Sequence, residues 1–410
     1  MKVAHLVSSF IEDGGPGDEL VDLAAVSSTT GVEPVVVVLG SSGDRWEVSR
    51  LRRLGVPVVE LGLAPWDPRA VRRTARVLRE HGVDLVHTHR RNADVIGGLA
   101  TRLGRGPALP LVSTLYTVEN LPANPADRLR RTAKILLRRR MAARTVAISH
   151  LQRERYRRFS GTDRGLVIVP NGIADPGLVS ADERARVRSA RGVADDGILA
   201  VSAAPMRRGQ GQDLLLDAVS AVPPSVPLTV VLLGDGPLRP WLVSRVESDE
   251  VLAARVHVEP RAPHDPARDV IGAADLYLHT ARSGALPLPL IRAVALGVPP
   301  VASHVGGVPE IVTRDTGLLV PLDADSIADA VVRLASDRAL RARLGKGARG
   351  HFLATFEARG WAVRLRGVYD EVLARVPAEP VSRPVGSGPA TLPPTFFDAR
   401  SNIGTDDRAP

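Results

Sequence analysis

The stretch from residue 274 to residue 321 constrains the fold of this chain more than any other part of the sequence. It contains a buried strand pattern at 276–278, a helix pattern that opens near Pro287, and a second short strand pattern at 301–302. Proline suits the first turn of a helix, and Gly297 is the kind of residue that commonly follows its end. A strand, a helix and a strand in this order favour an α/β fold with a parallel sheet.

A Gly306-Gly307 turn follows the second of these strands and precedes what the pattern indicates is another helix. Glycine lets the backbone approach a ligand closely, and the N–H groups and dipole of a helix N-terminus favour an anion. The sequence therefore predicts a phosphate site at Gly306 and Gly307.

The segment AVALGVPPVASHVGGVPEIV, with TGLLVP shortly after it, resembles the donor-binding segment of the family-4 retaining glycosyltransferases. The resemblance covers roughly residues 1–375. It implies the GT-B architecture, in which two Rossmann-like parallel-sheet domains face each other across a cleft and the C-terminal domain holds a nucleotide-sugar. It also implies that Gly306, Gly307 and Glu310 belong to the donor site.

The chain departs from this family at residues that carry chemistry. The two glutamates of the family, eight positions apart, fall on Gly284 and Arg292, so that neither is a carboxylate here. At Arg292 the charge is inverted where the family's glutamate holds the ribose. Because preorganised charges at such sites are commonly worth several kcal/mol, we expect nucleoside diphosphates to bind weakly.

The arginine of the family's diphosphate clamp is also lost, and two registers are possible for the arginine–lysine pair. Aligned from the preceding strand, the pair falls on Ala203 and Arg208; aligned from the following helix, it falls on Pro205 and Gln210. Arg207 or Arg208 can still supply positive charge, because a guanidinium group binds phosphate through two hydrogen bonds.

The resemblance also divides the chain into parts. We expect residues 1–172 to form an N-terminal Rossmann-like acceptor domain and residues 173–355 to form the Rossmann-like donor domain. Residues 356–376 carry an apolar stripe at helical spacing and resemble the helix that returns to the N-terminal domain. Residues 377–410 are rich in Pro, Gly and Ser without periodicity, which predicts a disordered tail.

The first strand pattern of the chain runs into Gly14 and Gly15. A glycine-rich turn after a strand is a weak signal by itself, and a tight turn explains it as well as a ligand does. No acidic residue stands after residues 35–39, where a nicotinamide cofactor would need one for its ribose. The resemblance implies instead that Gly14 and Gly15 face the donor phosphates and the acceptor.

Three further residues are candidates for the cleft. His87 and His89 end a strand, and the resemblance, through the run DLVHTH, implies that one of them contacts an acceptor. A histidine pair could also bind a metal, but no third ligand stands at a readable spacing, so we expect no metal and no other cofactor. The family's cleft histidine aligns with Tyr116; a tyrosine can bind a sugar hydroxyl, although a pKa of about 10 makes it a poor proton carrier.

Composition decides which partners to expect. A net charge of +9 favours anionic partners such as nucleotide-sugars and anionic lipid surfaces, whereas 3% aromatic residues without basic interleaving argue against nucleic acid. The absence of cysteine excludes disulfides and thiolate chemistry and is consistent with the cytoplasm. We find no signal-peptide pattern and no 18-residue apolar run, so we expect a cytoplasmic protein.

Residues 128–144, RLRRTAKILLRRRMAAR, predict a basic helix with apolar residues at i, i+4 spacing. One face of such a helix can pack on the protein while the rest attracts anionic lipid headgroups at the inner face of a membrane. An ordinary solvated basic helix is the alternative.

Two functions remain open from the sequence. The first is a retaining glycosyltransferase that transfers a sugar from a nucleotide-sugar to a glycan, lipid-linked or small-molecule acceptor, with Arg282 and Arg292 recognising an anionic feature. The second is a catalytically silent homologue that binds and regulates a partner glycosyltransferase. A sugar-nucleotide epimerase of the same fold is a third alternative, but it needs acid–base carboxylates and histidines that the sequence does not bring together.

Overall fold

A computed structural model describes residues 1–375 of the chain, except for residues 11–16, 44, 65–66, 90, 104–107, 117–123, 125–131, 133–134 and 261–266. Gly14 and Gly15 and the tail predicted at 377–410 therefore lie outside the described residues. Within the described part of the chain, no helix combines the length and the apolar character needed to span a membrane.

The first half of the chain forms a seven-stranded parallel sheet. Its strands are β1 (Lys2–Val7), β2 (Glu33–Val38), β3 (Val58–Glu60), β4 (Leu85–His89), β5 (Leu111–Leu115), β6 (Arg144–Ala147) and β7 (Leu166–Ile168). Their order across the sheet is β3-β2-β1-β4-β5-β6-β7, so the direction of winding reverses between β1 and β4. The helices are α1 (Gly17–Val26), α2 (Trp46–Arg53), α3 (Arg69–Glu80), α4 (Arg91–Ala100), α5 (135–141) and α6 (His150–Ser160).

The second half repeats this plan with six parallel strands. They are β8 (Ile198–Ala203), β9 (Leu228–Leu233), β10 (Val256–Glu259), β11 (Leu276–His279), β12 (Pro300–Ser303) and β13 (Leu318–Val320), in the order β10-β9-β8-β11-β12-β13. The helices are α7 (Ala181–Ser189), α8 (Gln212–Ala221), α9 (Arg239–Glu247), α10 (Glu250–Ala253), α11 (Arg268–Gly272), α12 (Leu288–Ala295), α13 (Ala324–Ser336), α14 (Arg338–Thr355) and α15 (Ala358–Leu373). The strands are runs of buried aliphatic residues, as expected for parallel sheets that are covered on both faces.

The last helix, α15, returns from the second half to cover the first sheet. The residues just before α15 contact the segment 169–180, which connects β7 to α7: the N–H of Ile173 in that segment donates to the Phe356 carbonyl at 2.9 Å. The apolar stripe of α15, which includes Trp361 and Leu365, packs in one cluster with residues of the first sheet: Val3, Leu85, Val112 and Val146. Glycine is needed at position 172 for this approach, because a Cβ there would lie 2.7 Å from Cβ of Trp361.

The sheet face under α15 changes from apolar to polar along the strands. His5, His87 and His89 lie nearer the carboxyl ends of β1 and β4 than Val3 and Leu85, and they are only 1–2% exposed. Burial lowers the pKa of all three rings, that of His5 to about 4 and those of His87 and His89 well below their ordinary value. All three imidazoles are therefore neutral at pH 7.

The packing of α15 predicts that Trp361→Ala lowers the free energy of unfolding by about 3–5 kcal/mol, because it opens a cavity at a side chain that is 3% exposed. Val363 lies on the same helix but is 61% exposed, so Val363→Ala is the matched control, with an expected change within about 0.5 kcal/mol. Urea unfolding followed by circular dichroism measures both changes. Equal losses for the two variants would contradict the packing.

The buried histidines predict that the protein loses stability as pH falls from 7 towards 5. Unfolded histidines bind a proton near pH 6.5, whereas folded His5 and His279 stay neutral down to about 4, and each unit of pKa difference is worth about 1.4 kcal/mol. Asp22 opposes this loss, because burial raises its pKa to about 6 and the folded protein gains its proton first.

Urea unfolding at pH 7.5 and pH 5.5 measures the loss. We expect Asp22→Asn to steepen the loss and His279→Phe to reduce it. A free energy of unfolding that is constant or rises on acidification would show that the histidines are not buried as described.

Candidate functional site

The two halves of the chain meet at the carboxyl ends of their strands. Arg292 on α12 reaches Asp18 on α1, with 2.8 Å between Nη2 and Oδ2. The Glu310 carboxylate, beyond β12, accepts hydrogen bonds from the backbone N–H groups of His150 and Leu151 at 2.9 and 3.2 Å. The carboxyl edges of the sheets thus face each other, and a ligand of an open α/β sheet binds outside such an edge where the strand order reverses. The candidate site therefore lies between the loops after β8 and β11 and the carboxyl edge of the first sheet.

The loop after β8 holds two arginines at this edge. Met206 anchors the loop: its side chain is buried and its N–H donates to the Asp235 carbonyl at 2.7 Å. Arg207 and Arg208 follow directly and are exposed. The fold thus places two guanidinium groups at the switch point of the second sheet, and their contact with a diphosphate stays a prediction.

The Gly306-Gly307 turn packs against the loop after β11. Gly306 has a φ of +57°, and a Cβ on it would lie 1.8 Å from the carbonyl oxygen of Gly284. A Cβ on Gly307 would lie 1.7 Å from the carbonyl oxygen of Ala285. The next segment, Val308–Glu310, is only a 3-10 turn. The predicted helix N-terminus is therefore wrong, and the glycines allow the chain to approach itself closely.

Arg292 and Arg282 both have charged partners. Arg292 is bound to Asp18 of the opposite half, and Asp22 lies one helical turn further along α1, where Arg292 opposes the burial that raises the pKa of Asp22. Arg282 binds Asp213 through two nitrogens, each at 2.8 Å. Recognition of an anionic donor by either arginine would require these ion pairs to open.

Glu310 serves as a cap for α6. Its two oxygens accept from the first N–H groups of that helix, which carry the positive end of the helix dipole. Both carboxylate oxygens thus already accept from the first half of the chain, and the donor contact implied for Glu310 stays a prediction.

His89 ends β4 and His87 lies two residues before it, so of the three residues predicted to line the cleft Tyr116 alone lies beyond the end of its strand. It follows β5, is partly buried, and its hydroxyl lies 2.8 Å from Nδ1 of His89. His87 and His89 both point to the sheet face under α15, because alternate residues of a strand share a face. Both rings are buried and bonded to other side chains of the protein, so the acceptor contact implied for one of them stays a prediction.

Sequence reasoning missed the residues around these histidines. His5 pairs with His87 in the register of β1 and β4, and the adjacency of first and fourth strands in a Rossmann-like order is the signal that could have found it. One ligand atom from each of the three rings lies within 4.8 Å of the others, and three imidazoles can bind zinc. Yet His87 already bonds Tyr369 and Thr114, at 2.7 Å each. The expectation of no metal stays a prediction.

The basic segment 128–144 is described in part, and the predicted helix extends too far. Residues 135–141 are helical, whereas Arg144 begins β6 and pairs with Glu371 on α15. The strand takes Arg144 because the backbone there pairs with Val112 of β5.

Arg138 lies on the inner side of α5. Its guanidinium is within 3.0 Å of the Asp94 carboxylate, and that carboxylate also accepts from the hydroxyls of Thr88 and Ser113, each at 2.6 Å. Arg139 and Arg140 are exposed. Arg138 is thus structural, and only its two neighbours can meet a surface or a ligand among the described arginines of α5.

Comparisons with known proteins agree with this architecture. The family model described as Glycosyltransferase Family 4 matches residues 14–175, and that described as Glycosyl transferases group 1 matches residues 196–337. The D-inositol 3-phosphate glycosyltransferase of Streptomyces bingchenggensis is 29% identical over 311 residues, which cover 71% of this chain and 67% of that protein. The N-acetyl-alpha-D-glucosaminyl L-malate synthase of Bacillus anthracis is 21% identical over 315 residues, which cover 75% and 80%.

A solved structure shares the whole fold. The Anabaena protein Alr3699/HepE, crystallised in complex with UDP, matches with a TM-score of 0.76 at 20% identity, covering 90% of this chain and 100% of that one. The matched family models fall one on each half of the chain, and the two facing parallel sheets are those of the matched structure. The chain therefore belongs to the family-4, or group 1, glycosyltransferases and has the GT-B fold.

Proposed function

We propose that the chain transfers a sugar from a nucleotide-sugar to an acceptor hydroxyl, with retention of the anomeric configuration. The acceptor class is a glycan, a lipid-linked saccharide or a small polyol, and the similar proteins named for D-inositol 3-phosphate and L-malate support a small anionic acceptor. UDP is the first donor nucleotide to test, because it occupies the similar Anabaena structure.

The observation that carries the proposal is the placement of Arg207 and Arg208. Both follow the buried anchor Met206 at the carboxyl end of β8, beside the point where the strand order reverses. Guanidinium groups at that point can bind the diphosphate of a donor and stabilise the charge that develops on it as the glycosidic bond breaks.

Retention requires the new bond to form on the face of the sugar that the diphosphate leaves. The bond from the anomeric carbon to phosphate oxygen breaks, and the acceptor oxygen bonds to that carbon. Neither Gly284 nor Arg292 offers a carboxylate to act as nucleophile or base, so the departing phosphate oxygen takes the acceptor proton. The positive charge of Arg292 is offset by the negative charge of Asp18, 2.8 Å away, so that this ion pair adds no net charge near the proposed donor site.

A second function is favoured by the same residues. Positions 284 and 292 carry no carboxylate, and Arg282 and Arg292 are already in ion pairs. A catalytically silent homologue would show the same features. In that case the chain would bind a partner glycosyltransferase and would not turn over a donor.

We also propose that the first half rests on an anionic membrane surface. The end of α4 and helix α5 are joined by Arg102, whose guanidinium donates to the Arg140 carbonyl at 3.4 Å. Around this contact three leucines are exposed, Leu99, Leu103 and Leu136, together with the guanidinium groups of Arg139 and Arg140. Exposed leucines beside arginines suit an interface with lipid headgroups, where apolar and positive groups both find partners.

The donor site predicts weak stabilisation by one nucleotide, which grows with the concentration of that nucleotide. Ligand at its dissociation constant adds about 0.4 kcal/mol of stability, and ligand at ten times that concentration adds about 1.4 kcal/mol. We expect Tm to rise with concentration up to 10 mM for one of UDP, GDP, ADP and dTDP. The double variant Arg207→Ala/Arg208→Ala should abolish the rise.

Arg245→Ala is the control, since the last turn of α9 lies at the amino end of the strands, away from the site. A Tm that none of the nucleotides or their sugars changes would favour the silent partner. Mass spectrometry of sugar transferred to inositol phosphate, malate and lipid-linked acceptors then distinguishes an enzyme from a protein that only binds nucleotide.

The membrane proposal predicts that Arg139→Gln/Arg140→Gln weakens binding to vesicles containing phosphatidylglycerol by about thirtyfold, because each arginine near an anionic surface is worth about 1 kcal/mol and two are removed. Binding should also fall as salt shortens the range of the attraction. Arg338→Gln/Arg343→Gln, on the exposed side of α14, removes the same charge elsewhere. Co-sedimentation that is equal for the two double variants, or insensitive to salt, would contradict the proposal.

A further inference from the structure

A buried hydrogen-bonded network lies beneath Tyr116. One arm runs from the Tyr116 hydroxyl to Nδ1 of His89, at 2.8 Å, and from Nε2 of His89 to Nδ1 of His5, at 3.0 Å. The other arm joins Nδ1 of His87 to the Tyr369 hydroxyl and Nε2 of His87 to Oγ1 of Thr114, both at 2.7 Å.

The two arms are in contact through their rings. His87 and His89 stack with their centroids 4.4 Å apart, and His5 stacks on His89 at 5.2 Å. The three imidazoles are buried, and they come from strands whose register is fixed by sheet pairing. In such surroundings an unmade hydrogen bond costs the full desolvation of its polar group, so the network resists rearrangement.

The network ends at the cleft on one side and at the returning helix on the other. Tyr116 stands at the carboxyl end of β5, whereas Tyr369 belongs to α15, 253 positions further along the chain. Tyr369 is buried, so the packing of α15 on the sheet holds its hydroxyl in place against His87.

We propose that His89 and His5 are positioning residues for Tyr116, and that this network holds the phenol at the cleft edge to hydrogen-bond a hydroxyl of the sugar or polyol substrate. The inference rests on the proposed function for the identity of the substrate, but the geometry of the support does not depend on it. Tyr116 would contact the substrate directly, and the histidines would act only through it.

A proton-shuttling role fits the network less well than a positioning role. Burial keeps the pKa of His5 at about 4 and holds those of His87 and His89 well below their ordinary value, so the rings stay neutral where a shuttle would need to charge. A neutral ring can still fix the orientation of the phenol through the hydrogen bond between Nδ1 of His89 and the Tyr116 hydroxyl.

The chain contains four tyrosines, which makes fluorine NMR of protein labelled with 3-fluorotyrosine a direct test. Each resonance is assigned by its Tyr→Phe variant. We expect His89→Phe and His5→Phe to shift or broaden the Tyr116 resonance. His279→Phe, which replaces another buried histidine in the second half, should leave it unchanged.

His89→Gln, which retains a polar side chain, is the second variant if His89→Phe does not fold. A Tyr116 resonance that is unchanged in the folded His89 variant overturns the proposal, whether or not transferase activity is found. Zinc bound at one equivalent in the purified protein would also overturn it, because the metal would occupy the nitrogens that support Tyr116.

Kinetics test the substrate contact once a donor and an acceptor are known. Tyr116→Phe and His89→Phe should each lower kcat/KM by about three- to tenfold, the value of one neutral hydrogen bond, without weakening the binding of nucleotide. The double variant should lose no more than either single one, because both remove the same contact. Losses that multiply would overturn the positioning role. If no donor supports transfer, the proposed function fails, while the resonance of Tyr116 still decides whether the network supports it.

Discussion

Covering the first sheet is the constraint on which the rest of this structure depends. A parallel sheet must be buried on both faces, and one face of this sheet is covered by α15, which comes from the end of the described chain. Trp361 and Leu365 pack on the apolar part of that face, and Tyr369 covers its polar part, where its hydroxyl forms a hydrogen bond with His87. The chain therefore passes between the halves twice, once before α7 and once before α15. The position of the histidine network depends on α15, a helix that follows the second half in sequence.

At the facing edges of the two sheets, two charged side chains form contacts between the halves of the chain. Arg292 and Glu310, which the resemblance assigns to the donor, are occupied by Asp18 and by the start of α6. The same two side chains thus hold the halves together across the cleft. A donor bound beside Arg207 and Arg208, as we propose, would either leave these contacts intact or replace them, and the cost of replacing them is a physical reason to expect weak binding.

Most of the fold could be predicted from sequence because its signals are local. Local signals specify the backbone at the strand pattern 276–278, at Pro287 and at Gly297, and the structure has β11 and α12 at those places. Predictions that depended on distant partners were less secure. Arg144 was read as helical from its basic neighbours, yet pairing with β5 places it in a strand. Arg138 lies within the same predicted basic helix, yet its guanidinium pairs with the Asp94 carboxylate inside the protein.

The sequence by itself determined that the chain forms two α/β units with parallel sheets and that the segment 274–321 resembles the donor-binding segment of a known family. It could do so because strand and helix periodicity and glycine positions act over a few residues. Only the tertiary structure decided which charges remain available and which histidines meet. His5 and His87 are separated by 82 positions and Arg292 and Asp18 by 274, and no local pattern specifies such contacts. They arise because parallel strands bring their carboxyl ends to one edge, where side chains from remote segments compete for the same partners.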